Sequence, residues 1–180
     1  CGFRELNYIR HFPVRQVISE IEYLQKNYRN ITMFIFDDDL FTFNVNYLEE
    51  FCGEYKRVSK LPFVVNAHFG YFDERRAKAL KDANCRIVKF GVESGSEKIR
   101  SSIMNRHMSN RKIIESVNLV ERCGMHSSVF IMVGLPFEEK KDLMDTISIL
   151  GKTRPGRFRW TYFFPYPGTE SYRLAEKGSF

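Results

Sequence analysis

The sequence lacks the features that mark membrane and secreted proteins. No apolar run approaches the roughly 18 residues that a membrane-spanning helix needs, and the first ten residues, CGFRELNYIR, contain neither a hydrophobic signal segment nor a cleavage site. Tryptophan is scarce, with one residue against 17 phenylalanines and nine tyrosines. We therefore expect a soluble, cytoplasmic protein without a membrane partner. Its aromatic residues are expected to form either a packed interior or a pocket for a flat ligand.

Closely spaced cysteines are also lacking. The four cysteines are Cys1, Cys52, Cys85 and Cys123, and no two lie closer than 33 residues, so the chain contains no CxxC or similar metal-binding hairpin. Cys52, Cys85 and Cys123 lie in or beside predicted helices and strands, and we expect them to be small buried apolar residues. The role of Cys1 depends on the residues that precede it.

Charge gives only a weak indication of a partner. The 180 residues are the size of one domain, and 28 Lys and Arg against 22 Asp and Glu give a formal net charge of +6. An excess of positive charge raises the possibility of an anionic partner such as RNA. The basic residues form only loose groups at 106–112 and 154–159. A solvated surface is the favoured interpretation, and RNA stays a candidate substrate.

Hydrophobic periodicity predicts alternating helices and strands. Apolar residues recur at helical spacing behind Pro13, and the run Ile31–Phe36 that follows is typical of a strand buried on both faces. Asn84 and Gly124 stand where helices commonly end in a left-handed residue. The predicted helices are 14–28, 45–58, 73–83, 96–123 with a break near 106–109, and 138–151. The predicted strands are 31–36, 61–66, 86–92, 129–133 and 158–164.

This alternation predicts an α/β fold with a parallel sheet covered by helices. Eight complete units of a closed barrel take about 250 residues, so the chain can form only a partial barrel or an open, doubly wound sheet. In both architectures ligands bind at the carboxyl ends of the strands. Functional residues are therefore expected where the predicted strands end.

The first two predicted strands end in polar residues. Asp37, Asp38 and Asp39 follow the first strand, where three adjacent carboxylates repel one another unless a cation or hydrogen-bond donors lie nearby. An exposed acidic turn that caps the next helix explains them equally well. Asn66 and His68 follow the second strand, and for His68 a surface or hydrogen-bonded core position is the favoured interpretation.

The later strands end in glycine-containing turns that carry carboxylates. The segment GVESG (91–95) surrounds Glu93 with glycines that allow close approach of a ligand, and its carboxylate can accept both hydrogens of a ribose diol. A carboxylate at the start of a helix is the structural alternative. Glu138 follows the turn Gly134–Phe137 and is predicted to enter the first turn of a helix, where capping explains it almost as well as chemistry does.

Four ordered segments resemble the radical S-adenosylmethionine (radical SAM) superfamily, especially its cobalamin-dependent and methylthio-transferring members. FDDDLFT (36–42) is similar to the strand-end motif that replaces the family's Gly-Gly-Glu, and FGVESGS (90–96) to the ribose motif. MVGLPFEE (132–139) is similar to the Gly-x-Pro-x-Glu strand, and YFFPYPGTESY (162–172) to the closing strand. The resemblance covers nearly the whole chain. It implies that residues 1–180 are a partial radical SAM core domain of a longer protein, a partial (β/α) barrel whose first strand is missing.

The resemblance also implies roles for individual residues. The backbone around Asp38 and Asp39 would meet the amino group of SAM, Glu93 would hold the ribose hydroxyls, and Arg106 would pair with the carboxylate of SAM. Ser94 would assist at the sugar. For Arg106 the competing interpretation is a solvated residue in a basic stretch.

The last two matching segments would form the adenine pocket. Gly134, Pro136 and the strand around Tyr162 would line this pocket, and Glu138 would steady the turn. Two side chains would face the substrate: Asn66 and His68.

The implied cofactors are a 4Fe–4S cluster and SAM. In the family a CxxxCxxC loop holds the cluster, and Cys1 stands where its third cysteine would be, so the remaining ligands would lie upstream. The resemblance also implies an electron donor such as flavodoxin or ferredoxin. These residues contain no cobalamin-binding segment, so cobalamin stays open.

Two functions from different classes follow. The first is a radical SAM enzyme that reductively cleaves SAM at the cluster and uses the 5′-deoxyadenosyl radical to abstract hydrogen from a small-molecule, peptide or RNA substrate. The second is a clusterless barrel that binds a nucleotide-like ligand or serves as an interaction module, since a fold alone does not guarantee activity. Cysteines three and seven positions before Cys1 would support the first.

Overall fold

Five strands alternate with helices along the chain. The computed structural model describes residues 11–177, and within these residues the helices and strands follow the predicted order with few exceptions. A 3-10 turn covers Phe69–Tyr71. The helices are α1 (Val14–Asn27), α2 (Val45–Val58), α3 (Glu74–Asp82), α4 (Glu97–Ser102), α5 (Asn110–Arg122), α6 (Lys140–Thr153) and α7 (Glu170–Lys177). The strands are β1 (Phe34–Phe36), β2 (Phe63–Ala67), β3 (Cys85–Glu93), β4 (His126–Val133) and β5 (Arg157–Tyr162).

The strands form one open parallel sheet in the order β1-β2-β3-β4-β5. Each strand pairs with its neighbour in sequence, so within residues 11–177 the sheet has β1 and β5 at its edges and does not close. Successive parallel strands need a crossover, which the helices provide. The predicted α/β partial barrel is therefore confirmed, and all five strands end at the same edge of the sheet.

Local capping explains where several elements begin and end. The side chains of Asp73, Ser96 and Ser109 accept hydrogen bonds from the first turns of α3, α4 and α5. Asn84 and Gly124 have φ values of 71° and 70°, as expected for left-handed helix ends. The predicted helix 96–123 is interrupted, as anticipated, and its two parts are α4 and α5.

Some predicted boundaries are wrong. β1 begins at Phe34 rather than at residue 31, and α7 and the 3-10 turn were not predicted. Glu138 does not enter the first turn of a helix, because α6 begins at Lys140 behind Glu139. The acidic residues 37–39 do not cap α2, whose N-terminal N–H groups bond to the side chain of Asn44. Each of these features depends on contacts that a propensity argument does not contain.

The core lies between the helices and one face of the sheet. Alternate residues of β2 and β3, among them Val65 and Phe90, pack against helical residues such as Phe51 and Tyr55, which are fully buried. Rings meet at 4.5–6.4 Å, mostly edge to face, so many of the aromatic residues form a packed interior. Within the described residues, no helix is long and apolar enough to cross a membrane.

The three described cysteines belong to this core. Cys52 and Cys85 are buried, and burial raises the pKa of the Cys52 thiol to about 12 and that of the Cys85 thiol further still. Cys123 is only half-buried, although it packs against the core, so the prediction of a buried apolar residue holds for it only in part. Raised pKa values keep Cys52 and Cys85 protonated and unreactive at neutral pH.

The other face of the sheet is open. Ile35, Asn66 and Lys89 alternate with core residues of β1, β2 and β3, so their side chains lie on this face. Ile35 is 58% exposed although it is apolar. The open face leads to the edge at which the strands end.

Candidate functional site

The site is built around Glu93, the last residue of β3. Glu93 has a φ of 64°, a left-handed conformation that costs a residue with a Cβ about 1–2 kcal/mol. The pairing of β3 with β4 shifts between Gly91 and Glu93, so Val92 is the extra residue of a bulge. The bulge and the left-handed backbone turn the Glu93 carboxylate back over Gly91.

Arg106 completes an ion pair with Glu93. One guanidinium nitrogen of Arg106 lies 3.1 Å from Glu93 Oε1 and donates to the Gly91 carbonyl at 3.0 Å. A Cβ at position 91 would overlap the Glu93 carboxylate and lie 2.9 Å from Arg106. Only glycine leaves room at position 91 for this pair, and that explains the residue there.

The pair is unequally buried. The Glu93 side chain is 12% exposed and that of Arg106 is 34% exposed. Burial raises the pKa of Glu93, and the positive charge of Arg106 partly counters this rise. His68, at the end of β2, has a lowered pKa because of burial and the charge of Arg106, so its imidazole is neutral at pH 7. The site therefore combines one carboxyl group with a raised pKa, one guanidinium cation and one neutral imidazole.

The segment after Glu93 is fixed by hydrogen bonds from a buried arginine. Arg100 of α4 is fully buried and donates to the carbonyls of Ser94 and Met108 and to Asn110 Oδ1. Sequence reasoning missed Arg100, because nothing in the pattern EKIRSS distinguishes it from the exposed Lys98.

Ser94 is turned away from the open face. Its side chain is fully buried, and its hydroxyl accepts the N–H of Ser96 at 3.2 Å. The structure therefore places Ser94 inside the loop between β3 and α4, where it stabilises the backbone that follows Glu93. The sequence resemblance had assigned it to the sugar of a ligand.

The turn after β4 is closed by Glu138. Glu138 Oε2 accepts the N–H groups of Gly134 at 2.7 Å and Leu135 at 3.3 Å. Its other oxygen, Oε1, is buried and has no hydrogen-bond partner among residues 11–177. Burial raises the pKa of Glu138, and the two N–H groups partly offset this. Gly134 has a φ of 76°, and Pro136 is buried beneath the turn.

The three aspartates after β1 are all exposed. Asp37 pairs with Lys89 of β3 at 3.2 Å, and Asp38 accepts the N–H of Leu40 at 2.8 Å. Asp39 points to solvent beside them. Lys89 therefore supplies part of the positive charge expected beside three adjacent carboxylates. It lies on β3, which is separated from β1 by β2 in the sheet.

The remaining predicted residues do not all share one face. Asn66 lies on the open face, and His68 Nδ1 accepts the Gly70 N–H at 3.1 Å, which leaves Nε2 available. Tyr162 pairs with Val133 and lies on the side of the sheet that carries the core residues Val129 and Ile131. The Tyr162 side chain, 71% exposed, is thus not beside Asn66, although its backbone ends β5 at the same edge.

A metal site is not formed by the described residues. Among residues 11–177 no three His, Cys, Asp or Glu side chains are grouped so that they could hold a metal ion. Cys1, the predicted cluster ligand, lies outside the described residues.

The described residues do fit a nucleoside with an amino-acid end. Glu93 has four lone-pair positions and Arg106 has five donors, so each retains capacity beyond their mutual contact. Glu93 can accept the two hydrogens of a ribose diol, and Arg106 can bind a carboxylate. Glu138 Oε1, buried and without a hydrogen-bond partner among residues 11–177, is a further acceptor at the end of β4.

The chain is similar in sequence to a known protein family and to several relatives. The family model described as the Radical SAM superfamily matches residues 1–150. An uncharacterized methyltransferase of Pyrococcus horikoshii is 28% identical over 167 residues, which are 92% of this chain and 36% of that protein. The tRNA-2-methylthio-N(6)-dimethylallyladenosine synthase of Pseudothermotoga lettingae is 25% identical over 87% of this chain and 38% of that protein. The chain thus spans a little over a third of the length of these relatives.

The fold is also found among solved structures. The radical SAM methyltransferase TsrM of Kitasatospora setae, solved with cobalamin and a 4Fe–4S cluster bound, superposes with a TM-score of 0.80 at 18% identity. The match covers 92% of this chain and 32% of that one. The predicted resemblance to the cobalamin-dependent and methylthio-transferring branch is confirmed by these relatives.

Proposed function

This chain belongs to the radical SAM superfamily, and we propose that it forms the SAM-binding part of a radical enzyme. A 4Fe–4S cluster, held in part by Cys1, would supply the electron for reductive cleavage of SAM and so the radical that abstracts hydrogen from a substrate. The chain's own residues bind SAM and orient it.

The observation that supports this proposal is the Glu93–Arg106 pair above Gly91, at the carboxyl end of β3. In the proposed complex the Glu93 carboxylate accepts the ribose hydroxyls. Arg106, a third exposed, turns part of its guanidinium to the carboxylate of SAM. Two opposite charges that each keep free hydrogen-bonding positions suit a zwitterionic ligand.

Neighbouring strand ends complete the proposed pocket. The exposed backbone around Asp38 and Asp39 receives the amino group of SAM, and Glu138 keeps the turn Gly134–Pro136 in place against the adenine. Tyr162 contributes to the adenine pocket through its backbone, because its side chain lies on the other side of the sheet. Asn66 and His68 contact the substrate.

We propose that Cys1 is one of three cluster ligands, with the other two located three and seven positions before it in the natural protein. Reading the natural sequence upstream of Cys1 tests this at once. Cysteines at both positions support the enzyme, whereas other residues there favour the clusterless ligand-binding barrel. A low-potential cytoplasmic donor such as flavodoxin or ferredoxin would supply the electron. Cobalamin and a methyl or methylthio transfer are suggested by the relatives' names alone.

Anaerobic reconstitution of the intact protein tests the proposed function. We expect about four iron atoms per protein, together with SAM-dependent formation of 5′-deoxyadenosine once a reductant is added. Glu93→Ala should lower the affinity for SAM about tenfold or more, because at least one hydrogen bond to a charged acceptor is lost. Glu20→Ala, an exposed carboxylate on α1, is the matched control and should leave the affinity unchanged. Equal affinity of Glu93→Ala and wild type would remove Glu93 from the site.

A further inference from the structure

Arg100 is a charged residue in an unusual position. Its side chain is fully buried in α4, and burial lowers its pKa, while Glu97 one turn away opposes this. Its three acceptors are the carbonyl of Ser94, the carbonyl of Met108 at 2.9 Å and Asn110 Oδ1 at 2.6 Å. None of the three is a carboxylate. A buried guanidinium held only by neutral acceptors is costly, and an apolar residue would fill α4 at less cost.

The contacts of Arg100 fall on both sides of the Glu93–Arg106 pair. Ser94 directly follows Glu93, and Met108 lies two residues after Arg106. In addition, the backbone carbonyl of Arg100 accepts the N–H of Arg106 at 2.9 Å. One residue therefore fixes the backbone that carries the carboxylate and the backbone that carries the guanidinium.

Asn110 extends this connection. Its amide nitrogen donates to the Gly95 carbonyl at 2.9 Å while its Oδ1 accepts from Arg100, and its backbone N–H donates to Glu97 at 2.6 Å. The planar guanidinium of Arg100 and the amide of Asn110 thus tie the segment after β3 to the start of α5. A fixed fork of donors holds several carbonyls in one arrangement better than a flexible ammonium group can.

We propose that Arg100 is a positioning residue that sets the geometry of the Glu93–Arg106 pair and thereby the affinity of the site for a nucleoside that carries a carboxylate. This inference rests on the proposed function, since it assigns SAM to that pair. Arg100 does not touch the ligand. It acts by holding the segment 94–110, and with it Arg106, at a fixed distance from β3.

A double-mutant cycle in the intact protein separates this role from a general contribution to stability. S-adenosylhomocysteine is the probe, and its dissociation constant is measured by calorimetry for wild type, Arg100→Met, Arg106→Met and the double variant. Arg106→Met is expected to weaken binding about tenfold, the cost of one charged hydrogen bond, and Arg100→Met by a similar factor, because it displaces Arg106. Because Arg100 acts through Arg106, the double variant should also be weakened about tenfold rather than about a hundredfold. Arg111→Met, an exposed arginine on α5, is the control and should bind as wild type does.

The outcomes separate the positioning role of Arg100 from the proposed function. If wild type binds S-adenosylhomocysteine and the losses multiply, or if Arg100→Met binds as wild type does, the positioning role is wrong and the proposed function stands. If wild type does not bind the probe, the proposed function fails, and the inference fails with it. Should Arg100→Met not fold, Asn110→Ala removes one acceptor of Arg100 at a partly buried position, and the same cycle with Arg106→Met applies.

Discussion

At the scale of single residues, Glu93 combines two features that each destabilise a folded protein. Its backbone is left-handed although it has a Cβ, and its carboxylate is largely buried. Strained backbone and perturbed ionisation concentrate at functional sites, where the surrounding structure compensates for them. Gly91 and Arg106 provide that compensation here, one by leaving space and the other by supplying charge. The motif GVESG indicates the carboxylate, but not its conformation.

Glu93→Gln should change how stability depends on pH. Burial raises the folded-state pKa of Glu93 above its ordinary value of 4.5, so more protons are bound in the folded state than in the unfolded state between the two values. Below the unfolded pKa the carboxyl is neutral in both states, and as pH rises through the folded pKa the wild type loses stability that the glutamine variant keeps.

The measurement is the free energy of unfolding by urea at intervals from about pH 4, near the ordinary pKa of a carboxyl group, upward through neutral pH. The free energy of unfolding of Glu93→Gln relative to that of wild type should rise with pH up to the folded-state pKa of Glu93. Above that pKa the difference should stay constant. Glu20→Gln, at an exposed position of α1, is the matched control substitution. A difference between Glu93→Gln and wild type that is the same at every pH would contradict the expectation.

At the scale of elements, the site depends on how closely the segment after β3 approaches α6. Gly95 donates its N–H to Thr146 Oγ1 at 2.7 Å, and Thr146 is 3% exposed. A Cβ at position 95 would overlap the backbone of Asp145 and Thr146. The missing side chain therefore decides the distance between α6 and the segment that leads to Arg100.

Gly95→Ala should destabilise the protein by about 1–3 kcal/mol, because α6 and the β3–α4 segment must separate to admit the methyl group. Gly53→Ala is the matched control: Gly53 lies inside α2 with no atom near its would-be Cβ, so alanine there should stabilise by about 0.5–1 kcal/mol. Urea unfolding of both variants measures the difference. Similar free energies of unfolding for the two variants would contradict the close contact between Gly95 and the backbone of α6.

At the scale of the whole molecule, the sheet is open and its last strand is uncovered. Every residue of β5 is exposed, and Phe158, Trp160 and Tyr162 lie on one face at 53%, 56% and 71% exposure. They continue the helix-side face of β4, whose Val129 and Ile131 are buried. The core therefore covers β2, β3 and β4 on the helical side and leaves β5 outside it.

Trp160 is the single tryptophan of the 180 residues and reports directly on this strand. We expect its fluorescence in the folded 180-residue chain to be solvent-like in wavelength and readily quenched by acrylamide, because more than half of the residue is exposed. The same chain unfolded in urea is the reference, and the shift between the two should be small. Emission at short wavelength with strong protection from quenching would mean that β5 is covered in solution.

The sequence by itself determined the order of strands and helices, the left-handed helix ends at Asn84 and Gly124, and the positions where polar residues end the strands. These features are local, because the hydrophobic period and the left-handed residues Asn84 and Gly124 can be recognised within a few neighbouring residues. Parallel strands that end at one edge then bring Glu93 and the turn Gly134–Glu138 to the same side without further information.

Only the tertiary structure decided which of these residues act together. Arg100 is buried, Ser94 turns inward, and Tyr162 lies on the helical side of the sheet. These placements depend on how the segments pack together, which residue type alone does not encode. Lys89 reaches Asp37 across two strand positions for the same reason. The surroundings of a charge, the burial of a side chain and the space beside a glycine all depend on residues that are distant in the sequence. They are therefore defined only once the sheet and helices have assembled.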